Sequence, residues 1–208
     1  MRKIPNRRQF MIGAMASIVP AATSASPLFC PPSLGGLASR YDGGSLSGDY
    51  AGETGFNDVT LGDEKERRLV LRNTHTGESF DQVYFADGQY DPGALAAFNR
   101  FARDHRTGDI RDIDPGLLDL IWSTWKRLET TEPFTVLSLY RSPSSNKKVG
   151  GATKSQHLFG RACDITHSSR SVADIYRAAK DIRAGGVGKY TMNRFVHVDT
   201  AGVRYWGS

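Results

Sequence analysis

The first 25 residues are the feature that most limits what the rest of the chain has to do, because they fall outside any fold. They carry Arg2, Lys3, Arg7 and Arg8 with no acid, then the apolar run Phe10 to Val19, then small residues through Ala25. Crossing a bilayer takes about 20 apolar residues, so this run is too short to do it. A basic start, a short apolar stretch and a small-residue site make an export signal cut near Ala25. The arginine pair in Asn6-Arg7-Arg8-Gln9-Phe10-Met11 gives it the look of a twin-arginine signal, a type that moves folded proteins. The alternatives are an ordinary secretory signal that contains two arginines and an uncleaved anchor. Either export route, with the signal cut, predicts a mature chain in the periplasm or cell envelope, with no transmembrane segment.

Charge is read after the leader is set aside. The whole chain has 27 Lys and Arg against 22 Asp and Glu, a net +5. Without the four basic residues of the leader, 23 basic side chains face 22 acidic ones. A nucleic-acid partner inferred from net charge is therefore excluded. Residues 26–66 hold Gly35-Gly36, Gly43-Gly44 and many serines without sustained periodicity, which predicts a flexible linker. Cys30 and Cys163 are too few for a disulfide framework, and Cys163 reads as a small buried thiol.

From Arg67 to the end the periodicities of a folded domain appear. Arg68–Arg72 and Asp81–Phe85 flank the turn-like His75-Thr76-Gly77-Glu78, predicting a β-hairpin. Helices are expected from about Pro92 to Asp104 and from Asp114-Pro115 through Leu128. The second starts with an acid before proline, a good N-cap and first-turn pair. Phe134–Ser138 reads as a buried strand, Tyr140–Pro143 as a loop, and Val172–Ala184 as a helix. Gly185-Gly186-Val187-Gly188 reads as a tight turn. Phe195-Val196-His197-Val198-Asp199 alternates like a strand, and Val203–Trp206 gives a last one. The expected class is α+β, with helices packed on a small, mainly antiparallel sheet.

Two of the five histidines stand among residues of metal-ligand type. His157 and Asp164 are seven positions apart across Gly160, and His197 lies on the later strand. Two imidazoles and one carboxylate would leave a tetrahedral zinc one open position for water, whose pKa would fall to about 7. Spacing alone is a weak signal for such a site. His75 and His105 read as turn and helix-end residues, and His167 as a surface one.

Ser155-x-His157-x-x-Gly160-x-Ala162-x-Asp164-Ile165 and Phe195-Val196-His197-Val198-Asp199-Thr200 add the missing specificity. Together with Gly185-Gly186-Val187-Gly188-x-Tyr190 and Arg204-x-Trp206, they resemble the murein endopeptidase K (YcbK-like) family. These are exported D-Ala-D-Ala-type zinc peptidases, related to the lysostaphin and hedgehog group. The likeness runs from about Arg67 to Trp206.

The resemblance implies a hedgehog/D-Ala-D-Ala peptidase-like fold, Zn²⁺ as cofactor, and His157, Asp164 and His197 as its ligands. It puts Arg141, in Tyr140-Arg141-Ser142-Pro143, where a guanidinium binds a substrate carboxylate or stabilises the oxyanion. Asn146 completes that motif, and Ser155 serves either substrate binding or turn capping. One departure stands out. Many relatives place an acid three residues before the last histidine, where this chain has Arg194. Asp199 faces the same way as His197, as strand residues two apart do. It is then the base that activates water, or a partner orienting His197, or itself a ligand.

The expected function is hydrolysis of peptide cross-links between peptidoglycan stem peptides. The alternatives are a D,D- or L,D-carboxypeptidase that trims stem peptides, and a non-catalytic zinc-containing module that binds the wall. Oligomeric state is not indicated.

Overall fold

A computed structural model describes residues 64–207. The segments read as export signal and, except for its last three residues, as linker lie outside the described residues. Strand β1 (Glu66–Asn73) turns back as β2 (Ser79–Ala86), followed by the short β3 (Gln89–Tyr90). Helices α1 (Pro92–Phe101) and α2 (Pro115–Arg127) come next, then β4 (Phe134–Ser138) and the short helix α3 (Pro143–Lys148). A 3₁₀ turn (Gln156–Phe159) leads into β5 (Ala162–Thr166) and α4 (Val172–Ile182). Strands β6 (Gly186–Tyr190), β7 (Phe195–Asp199) and β8 (Arg204–Gly207) close the domain.

All eight strands form one sheet in the order β3-β2-β1-β4-β5-β7-β6-β8. The pairs β1/β4 and β6/β8 are parallel and the other pairs antiparallel. The α+β class and the antiparallel bias agree with expectation, but the sheet is not small. The parallel β1/β4 pairing extends the N-terminal hairpin into the sheet that carries the C-terminal half.

Helix starts follow the sequence closely. The Asp91 carboxylate accepts from Ala94 N at 2.5 Å, and Asp114 from Gly116 N at 3.0 Å, each ahead of a proline. In α4, Ser171 and Asp174 form a reciprocal capping box, which holds two otherwise orphaned amides. Alternation then divides the sheet into two faces. On β7, Val196 and Val198 are buried in the same core as Val136, Cys163, Ile165 and Val187. Ile121 of α2 and Ile175, Ala179 and Ile182 of α4 belong to that core too. Each of these valines and isoleucines contributes roughly 1.5–3 kcal/mol when fully buried. Cys163 is the buried thiol expected, and burial pushes its pKa far up, so it stays unreactive.

The turn reading of Gly185–Gly188 fails as well. Gly185–Gly188 is not a tight turn, because Gly186 to Gly188 begin β6 and pair on both sides. Among the described residues, no helix is long and apolar enough to cross a membrane.

Candidate metal centre

The opposite face of the same strands carries the polar residues. Asp164 on β5 stands directly across from His197 on β7, so their side chains share one face. His157 comes from the 3₁₀ turn, which ends at Gly160 with φ +68°. Only glycine suits that position: a Cβ there would lie 2.5 Å from the Asp112 carbonyl oxygen. The chain therefore reverses tightly, which brings a residue seven positions upstream beside Asp164.

The three side chains converge. His157 Nε2 lies 3.2 Å from Asp164 Oδ1 and 3.2 Å from His197 Nδ1, and His197 Nδ1 lies 2.8 Å from Asp164 Oδ1. Their outer atoms decide which nitrogens carry hydrogen. His157 Nδ1 faces the Leu139 carbonyl at 2.6 Å, an acceptor only, so Nδ1 donates and Nε2 turns a lone pair inward. His197 Nε2 faces the Asp199 carboxylate at 3.0 Å, so it donates there and turns Nδ1 inward. Two lone pairs and a carboxylate oxygen thus meet at one point.

A shared positive charge would relieve that packing, and the groups already shift one another's titration. Burial opposes charging Asp164, yet His157 and His197 hold its carboxyl far below the usual range. Burial lowers the pKa of His157, which stays neutral. Burial opposes protonation of His197 as well, but Asp164 and Asp199 outweigh it and raise its pKa. The donor set fits zinc: bonds of about 2.0–2.1 Å in a tetrahedron place donors roughly 3.3 Å apart, close to the 3.2, 3.2 and 2.8 Å found.

Around the triangle lie the other residues singled out from the sequence. Arg141 donates from Nη2 to Asp164 Oδ2 at 2.5 Å and from Nε to Ser138 Oγ at 2.7 Å, with Nη2 also 3.1 Å from His157 Nε2. Asp199 lies beyond His197, fully buried, and outside the three residues whose ligand atoms all lie within 4.8 Å of one another. Its oxygens accept from His197, from the Ala201 amide at 3.0 Å, and from both terminal nitrogens of Arg204. Burial opposes its charge, but His197 and Arg204 lower its pKa nonetheless.

Asn146 is buried and donates to the Ala152 carbonyl at 3.0 Å, which pins its own loop. Ser155 precedes the 3₁₀ turn but makes no side-chain cap bond. His167, read as a surface residue, is buried and bound to the Glu132 carbonyl. Arg204 was missed. A lone arginine near a tryptophan gives no spacing signal, and only the strand pairing brings it behind Asp199.

Residues 62–206 match the family model described as peptidoglycan L,D-endopeptidase MepK. The chain belongs to the peptidoglycan L,D-endopeptidase MepK family. It is 40% identical to the Escherichia coli K12 peptidoglycan L,D-endopeptidase MepK over 153 residues, which is 71% of this chain and 84% of that protein. A Haemophilus influenzae probable peptidoglycan L,D-endopeptidase MepK is 31% identical over 68% of this chain and 80% of its own length. The zinc D-Ala-D-Ala carboxypeptidase of Streptomyces albus G is 31% identical over 95% of this chain and 93% of that protein. The donor triangle of this MepK-family chain thus lies within the matched region, as do Arg141, Asp199 and Arg204.

Proposed function

We propose that the chain is a zinc metallopeptidase that hydrolyses peptide cross-links of bacterial peptidoglycan. The observation that carries the reading is the convergence of His157 Nε2, Asp164 Oδ1 and His197 Nδ1, with both imidazoles fixed from behind. The names of the MepK relatives point to the same chemistry. His157, Asp164 and His197 would hold the metal. When bound, zinc supplies Lewis acidity, which polarises an amide carbonyl and makes water acidic enough to attack at neutral pH.

The remaining work falls to the chain's own residues. Arg141, at the rim of the triangle, stabilises negative charge as it develops on the carbonyl oxygen of the attacked amide. It also holds Asp164 in register for the metal. Asp199 acts on the other side of His197, where it fixes the ring and its tautomer as a positioning residue. That assignment replaces Asp199 as base, because the carboxylate is buried behind the imidazole and already accepts from three partners. An export signal at residues 1–25 would put the mature enzyme in the cell envelope, where its substrate is.

The test is direct. Zinc-loaded mature protein is incubated with purified cross-linked sacculi, and the released muropeptides are analysed. New products with cleaved stem-peptide cross-links are expected. Folded, zinc-bound protein that releases none would overturn the reading, and release of terminal D-amino acids alone would make the chain a carboxypeptidase.

A further inference from the structure

Beside the donor triangle, the same sheet face carries a row of aromatic rings that the chemistry above does not use. Gly188 of β6 pairs with His197 of β7 on one side and Trp206 of β8 on the other. A Cβ on Gly188 would lie 2.5 Å from the indole, so Trp206 lies across the strand over that glycine. Its ring centroid is 5.5 Å from that of His197. The indole Nε1 donates to Tyr190 Oη at 3.0 Å, and the Tyr190 ring stacks on Phe195 at 4.6 Å and 14°. Tyr190 is 38% exposed, and Trp206 and Phe195 are half-buried. The row therefore starts against a metal donor and runs outward along β6 and β7 into solvent. Its polar atoms bond to each other, Arg204 lies over the Trp206 ring at 5.0 Å, and the outward parts of the rings are what is offered to a ligand.

We infer that Trp206, Tyr190 and Phe195 form a subsite for a long aliphatic side chain on the residue beside the scissile bond. This rests on the peptidase reading above. Distance selects the occupant: an extended peptide advances about 3.3 Å per residue, so a group on Trp206, 5.5 Å from His197, sits within two residues of the attacked amide. The sugars of the glycan lie further along the substrate. Methylenes laid on aromatic faces gain apolar contact, and they need no partner for a charged group there.

The test uses peptides with one scissile bond and one backbone, in which each flanking side chain in turn is either a straight four-carbon chain or a methyl. Their kcat/KM ratio cancels changes common to both, including any effect of Trp206 on His197. Wild type should favour the long side chain at one flanking position by about tenfold, the order of selectivity apolar contacts supply. Trp206→Ala and Tyr190→Ala should bring that ratio towards one, and Trp206→Phe should restore most of it. Tyr190→Ala, further from the metal donors, carries the test if Trp206→Ala does not fold. An unchanged ratio in a folded alanine variant overturns the subsite. So does a loss confined to peptides bearing an attached disaccharide, which would make the rings a sugar platform. Reduced-amide analogues of both peptides, titrated calorimetrically into zinc-loaded protein, give the same ratio as Kd. Selective binding without cleavage would overturn the peptidase reading and leave the subsite standing.

Discussion

The Asp199 carboxylate is gripped by both terminal nitrogens of Arg204, at 3.0 and 2.7 Å, immediately behind the His197 ring. This ion pair keeps Asp199 charged, and a charged Asp199 keeps hydrogen on His197 Nε2 and turns the Nδ1 lone pair towards His157 and Asp164. Three strands thereby cooperate on one donor: β7 supplies His197 and Asp199, β6 lies between, and β8 supplies Arg204.

Loosening this support should weaken the metal without removing it. Asp199→Asn and Arg204→Ala are each expected to reduce zinc affinity by about 10–100-fold, the usual effect of losing such a partner. Chelator competition measures it. Because both act through one ring, the double variant should lose less than the combined loss of the two single variants. Wild-type affinity in Asp199→Asn would rule out the positioning role.

His157→Ala should bind no stoichiometric zinc at all. It removes a donor that is 2% exposed and leaves the Leu139 carbonyl without its hydrogen. Metal analysis after gel filtration reads the outcome, and full stoichiometry in the folded variant would discard His157 as a ligand.

A methyl added to β6 should harm the site from the opposite direction. In Gly186→Ala the new Cβ would fall 2.5 Å from Asp199 Oδ2 and 2.6 Å from an Arg204 nitrogen. Overpacking of this kind costs about 1–3 kcal/mol. Urea unfolding should show that loss, and chelator competition should show weaker zinc binding alongside it.

Asp104 predicts an acid-sensitive contribution to stability away from the metal. It is 1% exposed and accepts from the Ser142 amide at 2.8 Å and the Arg106 amide at 2.9 Å. Burial opposes its charge, but Ser145, Ser142 and these amides hold its pKa well below the ordinary value. A depressed folded pKa stabilises the protein above the unfolded value of about 3.9, and the benefit drains away as pH falls through the folded value. Asp104→Asn should therefore cost about 1–3 kcal/mol at pH 7. In urea unfolding of chelated protein, the gap to wild type should be full at pH 7 and smaller at pH 3. A gap that does not change with pH would contradict the assignment.

Much of this was legible in the residues, for reasons that are local. Asp91-Pro92 and Asp114-Pro115 announce their helices because cap and first turn lie side by side in sequence. The alternation of Phe195–Asp199 gave its strand and put His197 and Asp199 on one face. What stayed hidden depends on distant pairing. Gly186 and Gly188 looked like a turn because glycine weakens an isolated strand. Here they clear space for Arg204 and Trp206, which arrive from a strand whose approach no local pattern encodes. The size of the sheet was missed for the same reason, since β1 and β4 are parallel neighbours with two helices between them in sequence. Asn146 matched a motif, but its burial behind Gly151 depends on how the loop folds back.

Among the described residues, strand β8 is the outermost strand of its end of the sheet, and its backbone pairs with β6 alone. Edges are the first parts of a protein to open, while the core beneath α2 and α4 is anchored from both sides. Warming should therefore release Arg204 and Trp206 while most of the domain is still folded. Activity should then begin to fall, as the support behind His197 loosens, at a temperature below the melting point of the domain.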